Sequence, residues 1–214
     1  MRSIDGVTAA LAEFKGMTHS WLVGEPCFAP PAELVDGLIG AADAKTYGYP
    51  PHSGLTELRE ILAALHSGNG YHVEADQIVV TSGAKAGLLA LLAALLEPGD
   101  EVIHPTPYYP AYPFMASRLG ARPVAVPEDG YGFAGWADAV ASAIGPRTRA
   151  VVLASPSNPT GTTLGSRAAE DLVELCRDRG LRLVCDEAYT EFQTDRTTTD
   201  QPETLDPERR TVVQ

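Results

Sequence analysis

Residues 154–187 contain the feature that most constrains this chain. Two polar clusters, Ser155-Pro156-Ser157-Asn158-Pro159-Thr160-Gly161 and Val184-Cys185-Asp186-Glu187-Ala188-Tyr189, each follow a short apolar run. The runs are Ala150-Val151-Val152-Leu153 and Leu181-Arg182-Leu183-Val184, and an amphipathic segment from Ser166 to Arg179 lies between the clusters. Strand, polar turn, helix, strand, polar turn is the βαβ unit of a parallel sheet. Ligands of open α/β sheets bind at the carboxyl ends of the strands. The pattern therefore predicts Asn158, Asp186 and Tyr189 as neighbours in one pocket.

The alternation extends upstream. Gln77 to Thr81 reads as a strand, Ser82-Gly83-Ala84-Lys85 as a turn, and Ala86 to Leu96 as a buried helix stopped by Pro98-Gly99. A small-residue turn between strand and helix gathers free backbone N–H groups at the positive helix end, an arrangement that binds phosphate. It also serves as a plain tight turn, and the motif alone does not separate the two. Glu101 to His104 is a strand running into Pro105-Thr106-Pro107-Tyr108-Tyr109-Pro110. Tyrosines just past a strand end either stack on a planar ligand or cap the core. A helix over 111–119, a strand over 122–126, a loop over 128–135 and a helix over 136–144 lead into the central stretch. Nearer the start, helices are predicted over 3–15, 31–44 and 55–65, the last with Leu58, Ile61, Leu62 and Leu65 on one stripe. Residues 193–210 are polar without hydrophobic period, and residues 211–214 look like the opening of another strand. The economical fold is a three-layer α/β/α sandwich around a mostly parallel sheet.

Composition narrows the partners. A formal charge of -12 over 214 residues opposes nucleic acid and anionic membranes, which need a basic surface. The longest apolar run, 86–96, falls far short of the ~20 residues of a membrane span. Met1 to Gly16 mixes charges with small residues, unlike a signal peptide. Cys27, Cys176 and Cys185 lack metal-ligand spacing, so no metal site is expected and the three read as reduced thiols of a cytoplasmic protein.

Four strand ends thus carry ligand-type residues: Ser82-Gly83-Ala84, Tyr108-Tyr109, Asn158, and Asp186 with Tyr189. A ligand that uses a phosphate cradle, an aromatic plate, an amide donor, a carboxylate and a phenol is a phosphorylated, planar, protonated heterocycle. Pyridoxal phosphate is one. The sequence resembles the fold-type I, class I/II aminotransferases that use this cofactor. The resemblance runs from about Trp21 to Gln214. It rests on Gly24-Glu25-Pro26, Tyr49 to Gly54 with Leu55-Thr56-Glu57-Leu58-Arg59, Thr81 to Lys85, Pro98 to Val102, Pro107-Tyr108-Tyr109, Ser155 to Gly161 and Asp186-Glu187-Ala188-Tyr189. The Ser-Pro-x-Asn-Pro-Thr-Gly and Asp-Glu-x-Tyr runs, in this order, are the specific part.

The resemblance implies roles. Asp186 would pair with the pyridinium nitrogen, and Asn158 and Tyr189 would hydrogen-bond the ring's phenolic oxygen. Tyr109 would stack on the ring, with Tyr108 as fallback. Backbone N–H groups of Gly83, Ala84 and Lys85 would hold the phosphate, and Gly24 would lie near the substrate carboxylate. Tyr49 would reach the cofactor phosphate of a neighbouring subunit, which implies a homodimer. Residues 1–46 would form an N-terminal segment and residues 47–214 the large domain, with the C-terminal small domain absent. The implied reaction is transamination between an amino acid and a 2-oxo acid.

The sequence departs from the family in one respect. The Schiff-base lysine follows the Asp-Glu-x-Tyr motif after a loop and a strand, and these residues end as that strand begins. Lys15, Lys45 and Lys85 are the only lysines, none in a matching place, and Lys85 reads as a solvated or phosphate-side residue. No catalytic residue is assigned. A lyase or cyclase on the same cofactor, and a non-catalytic cofactor-binding or interaction fragment, are the alternatives. A nucleotide-binding reading, prompted by the acidic strand Leu183 to Glu187, fails because no Gly-x4-Gly-Lys-Ser/Thr loop follows a strand.

Overall fold

A computed structural model describes residues 28–43, 48–68, 73–128, 133–192 and 210–213, the last for backbone only. The chain divides into two compact units, Met1–Pro50 and Pro51–Gln214. In the first, helix α1 (Ala32–Asp43) follows the prolines at 30 and 31, and its Leu34, Leu38 and Ile39 stripe is exposed.

The second unit opens with α2 (Thr56–Gly68), whose Leu58, Ile61 and Leu65 are also exposed. The expected strand over 77–81 is not one. Ala75–Gln77 form a 3-10 turn, and residues 78–81 pair with no strand among the described residues. Local hydrogen bonds win there. The Gln77 side chain accepts from the Glu74 N–H at 2.9 Å, Arg59 donates to the Ala75 carbonyl at 2.9 Å, and the Val80 N–H goes to Ser53 at 2.9 Å. Val79 is left exposed.

From there the alternation holds: α3 (Ala84–Leu95), β1 (Glu101–Thr106), α4 (Ala111–Arg118), β2 (Arg122–Pro127), α5 (Trp136–Ala143), β3 (Thr148–Ala154), α6 (Ser166–Arg179), β4 (Arg182–Asp186), the 3-10 turn Thr190–Phe192, and β5 (Arg210–Val213). The five strands are all parallel, in the order β2-β1-β3-β4-β5. The order reverses between β1 and β3, and such a switch point opens a crevice at the carboxyl ends. Gly180 closes α6 in the left-handed conformation, φ 67°, which glycine adopts without a Cβ clash.

Side-chain alternation builds the layers. Val102, Ala150, Val152, Ala154 and Val184 face α3 and α4, where they pack with Leu88, Leu92, Tyr112 and Met115. Ile103, Val151, Leu153, Leu183 and Cys185 face α5 and α6, against Trp136, Val140, Leu172 and Cys176. A fully buried Leu or Val contributes roughly 1.5–3 kcal/mol, so these two cores, one on each face, hold the three layers together. Helix α3 is buried along one stripe rather than all round. Leu88 and Leu92 are inside, whereas Leu89 is exposed. Cys176 and Cys185 are buried and form no disulfide among the described residues, and burial pushes the Cys176 thiol up to about 12.

Candidate functional site

Asp186 ends β4 and is almost fully buried. Its Oδ2 accepts the Tyr112 hydroxyl at 2.9 Å, and its Oδ1 accepts the Ala188 N–H at 3.2 Å. No arginine, lysine or histidine pairs with it among the described residues. The carboxylate is therefore held in place by neutral donors. A buried carboxylate whose partners among the described residues are all neutral is suited to a cationic group from outside. The Asp186 carbonyl also takes the Ser155 N–H at 3.0 Å, which locks the ends of β3 and β4 together.

The turn after β3 brings Asn158 to the same place. Ser157 N–H donates to Thr162 and Gly161 N–H to Ser157, both at 2.8 Å, closing a loop with Asn158 and Pro159 at its tip. Asn158 Nδ2 donates to the Tyr189 hydroxyl at 3.1 Å. The Tyr189 proton and the second Asn158 N–H remain for an outside acceptor. Two such donors suit a phenolate oxygen.

Tyr112 links the groups. It lies on α4, buried, with the Tyr109 ring edge-on at 5.6 Å. Burial raises its phenol pKa first, followed by the Asp186 charge, the hydrogen bond to Asp186, and the phenols of Tyr109 and Tyr189. It stays a neutral donor at any working pH. Tyr109 is half-buried against the same core, with ring surface left over, whereas Tyr108 stands edge-on to buried His104 at 4.8 Å. Tyr112 was not singled out in the sequence because an aromatic residue in an apolar helix reads as core. Its signal was a phenol in need of a partner, one turn after Tyr109 on the helix leaving β1.

Ala84 packs on that core too. Ahead of it, Gly83 has φ 85° and caps α3. A Cβ there would meet nothing within 4 Å, so the backbone angle and not crowding calls for glycine, and the space over the turn is open. Thr81 Oγ1 donates to the Gly83 carbonyl at 3.0 Å and steadies the turn. Among the described residues the Ala84 and Lys85 N–H groups open the helix without backbone acceptors, whereas the Gly83 N–H, expected to join them, donates to the Thr81 carbonyl at 2.8 Å. Lys85 is exposed. Phosphate, ring nitrogen and phenolic oxygen each meet groups of the right kind, so the donor set fits pyridoxal phosphate. Tyr49 is exposed and belongs to the first unit, and Gly24 lies outside the described residues. A separate open groove between the starts of α5 and α6 is lined by Gly135, Ser166, Arg167 and Asp171. Its charges satisfy one another through the Arg167–Asp171 pair at 3.1 Å, which leaves it chemically bland.

The chain is similar to known proteins in sequence and in fold. Residues 19–213 match the family model for aminotransferase class I and II. The arginine–pyruvate transaminase of Pseudomonas aeruginosa is 41% identical over 172 residues, 79% of this chain and 44% of that protein. The aspartate aminotransferase of Geobacillus stearothermophilus is 36% identical over 189 residues, 86% of this chain and 48% of that one. A structure of the Thermus thermophilus aspartate aminotransferase with maleate superposes with a TM-score of 0.83 at 35% identity, covering 89% of this chain and 50% of that chain. The chain spans about half the length of the curated relatives it matches.

Proposed function

The chain belongs to the class I and II aminotransferases, a family that uses pyridoxal phosphate, and from that premise we propose that its second unit forms the cofactor side of a transamination site. The observation that carries the reading is the buried, uncompensated Asp186 carboxylate beside the Asn158–Tyr189 pair.

Asp186 holds a proton on the ring nitrogen by charge-assisted hydrogen bonding. Tyr112 and the Ala188 N–H aim its two oxygens. Asn158 and Tyr189 donate to the phenolic oxygen, and Tyr109 covers one ring face. Ala84 and Lys85 bind the phosphate with backbone N–H groups at the positive end of α3, while the Gly83 N–H is committed to the Thr81 carbonyl and Gly83 serves by its open backbone. When bound, pyridoxal phosphate supplies an electron sink for charge developing at the substrate α-carbon. Tyr49 reaches the cofactor phosphate of a second copy in a homodimer. The N-terminal segment contributes to that assembly, and the unit Pro51–Gln214 belongs to the large domain. The substrates are an amino acid and a 2-oxo acid, and the setting is cytoplasmic. Among the described residues no helix is long and apolar enough to cross a membrane.

The test is a titration of the chain with pyridoxal phosphate, followed by absorbance and tyrosine fluorescence. Saturable one-to-one binding is expected, and Asn158→Ala should shift the absorbance band of the bound cofactor. Absence of saturation, or an identical band in Asn158→Ala, overturns the assignment.

A further inference from the structure

Glu128 follows the last residue of β2, yet its contacts lie elsewhere. Its backbone N–H donates to the Thr106 carbonyl at 3.1 Å, at the end of β1 and three residues before Tyr109. Its side chain reaches the turn after β3. The Thr162 hydroxyl donates to Thr160 Oγ1 at 2.8 Å, and the Thr160 hydroxyl donates to Glu128 Oε1 at 3.0 Å. Thr162 Oγ1 lies 3.5 Å from the same carboxylate oxygen. Strand β1 stands between β2 and β3. Neighbouring strands are about 4.8 Å apart, so Glu128 spans the full width of β1 to reach the turn. It does so at the switch point where the candidate site opens.

The other oxygen, Oε2, is buried and has no hydrogen-bond partner among the described residues. A carboxylate that gives up water without full replacement is costly, and such a group in a folded protein calls for an explanation. The two threonines it holds sit in the loop that Ser157 and Gly161 close around Asn158.

We infer that Glu128 is a positioning residue: a clasp from β2 that fixes the Asn158 turn against β1, and so sets where the Asn158 amide meets the cofactor's phenolic oxygen. This inference rests on the proposed cofactor site for its functional half only. Glu128 itself touches no reacting atom. A glutamine keeps the acceptor oxygen for the Thr160 hydroxyl, whereas an alanine removes it.

The experiment compares Glu128→Ala, Glu128→Gln and Thr160→Val with the unaltered chain by two readouts. The first, amide hydrogen exchange without cofactor, should show Gly161 exchanging about tenfold faster in Glu128→Ala and Thr160→Val, and Thr162, whose N–H donates to Thr160 Oγ1 at 3.3 Å, exchanging faster in Glu128→Ala, where that acceptor is kept. The amides of β3 and β4 should be unchanged, and Glu128→Gln should restore most of the protection. Unchanged loop exchange, or equal acceleration across the whole sheet, overturns the clasp. If Glu128→Ala does not fold, Thr160→Val decides this readout. The second readout is the absorbance of bound pyridoxal phosphate. Glu128→Ala should move the band in the same direction as Asn158→Ala, and the double variant should add nothing further. A band unmoved by Glu128→Ala but moved by Asn158→Ala overturns the positioning role while the cofactor site stands. If the unaltered chain binds no cofactor, the cofactor site fails, and exchange alone settles whether the clasp exists.

Discussion

The two ends of the same parallel strands treat their carboxylates in opposite ways. At the amino end, Glu101 opens β1 beside Arg122, which opens β2, and the two form a close hydrogen-bonded ion pair. Thr148, at the start of β3, donates to the same side chain at 3.3 Å, and Asp100 pairs with Arg149 at 3.4 Å. The Arg122 hydrogen bond leads the effects that hold the Glu101 pKa below its usual value, against the opposing effect of burial. At the carboxyl end, Asp186 has a phenol and a backbone N–H, and Glu128 has the Thr160 hydroxyl, itself backed by Thr162. Among the described residues no basic group pairs with either. One end is electrostatically closed. The other is built to a fixed geometry and left one cation short. That difference separates a structural carboxylate from a binding one, and burial alone does not, since Glu101 and Asp186 are both buried.

The largest expected effect breaks the comparison directly. Asp186→Asn should weaken pyridoxal phosphate binding by about a hundredfold, the scale of a hydrogen bond to a charged group. Its urea midpoint should hold or rise, because an uncompensated buried charge has been removed. Glu101→Gln should do the reverse, lowering stability by about 1 kcal/mol with cofactor affinity intact. If both substitutions lower stability and neither touches affinity, the two ends are alike and the binding assignment of Asp186 falls.

The second effect concerns the partners. Arg122 is mostly exposed, with 64% of its side chain accessible, so Arg122→Met should cost under about 1 kcal/mol. Tyr112 is 2% accessible. Tyr112→Phe strands a buried carboxylate oxygen, and should cost about 2 kcal/mol although the lost partner is neutral. Urea unfolding of both variants checks the order. A larger loss for Arg122→Met would show that Asp186 does not depend on its phenol.

How much of this was legible in the sequence follows from where the information lies. The strands at 101, 148 and 182 were visible because burial on both faces leaves continuous apolar runs, and α6 because its polar face is sharply set off. Asn158, Asp186 and Tyr189 were visible because strand ends in a parallel sheet converge. The run Ile78-Val79-Val80 misled because its composition is that of a strand, while the hydrogen bond of Val80 N–H to the Ser53 carbonyl, and those of Arg59 and Gln77 to the turn before it, settle its path. Those partners are set by the fold and carry no local signal. Tyr112 and Glu128 were hidden for the same reason. Tyr112 is 74 residues from Asp186, and Glu128 is 32 from Thr160. Each looks ordinary beside its own neighbours in sequence, as core and as loop.

The smallest expected effect sharpens the claim that the carboxyl end lacks a cation. His104 lies in β1 under Tyr108 and, if charged, would be a candidate for that cation. Burial lowers its pKa, only partly opposed by the Pro105 carbonyl at 2.9 Å from Nδ1. It is therefore neutral at pH 7. The unfolded chain takes up a proton here below pH ~6.5 that the folded chain refuses, so stability should decline as pH falls from about 6.5 toward the folded pKa. For this one group the loss between pH 7 and 5.5 is at most ~1 kcal/mol. His104→Phe, which keeps an aromatic edge for Tyr108, should flatten that limb relative to the unaltered chain. A histidine that instead stabilised the fold on protonation would reverse the slope. It would place a positive charge beside the candidate site, and the contrast between the two ends of the sheet would have to be redrawn.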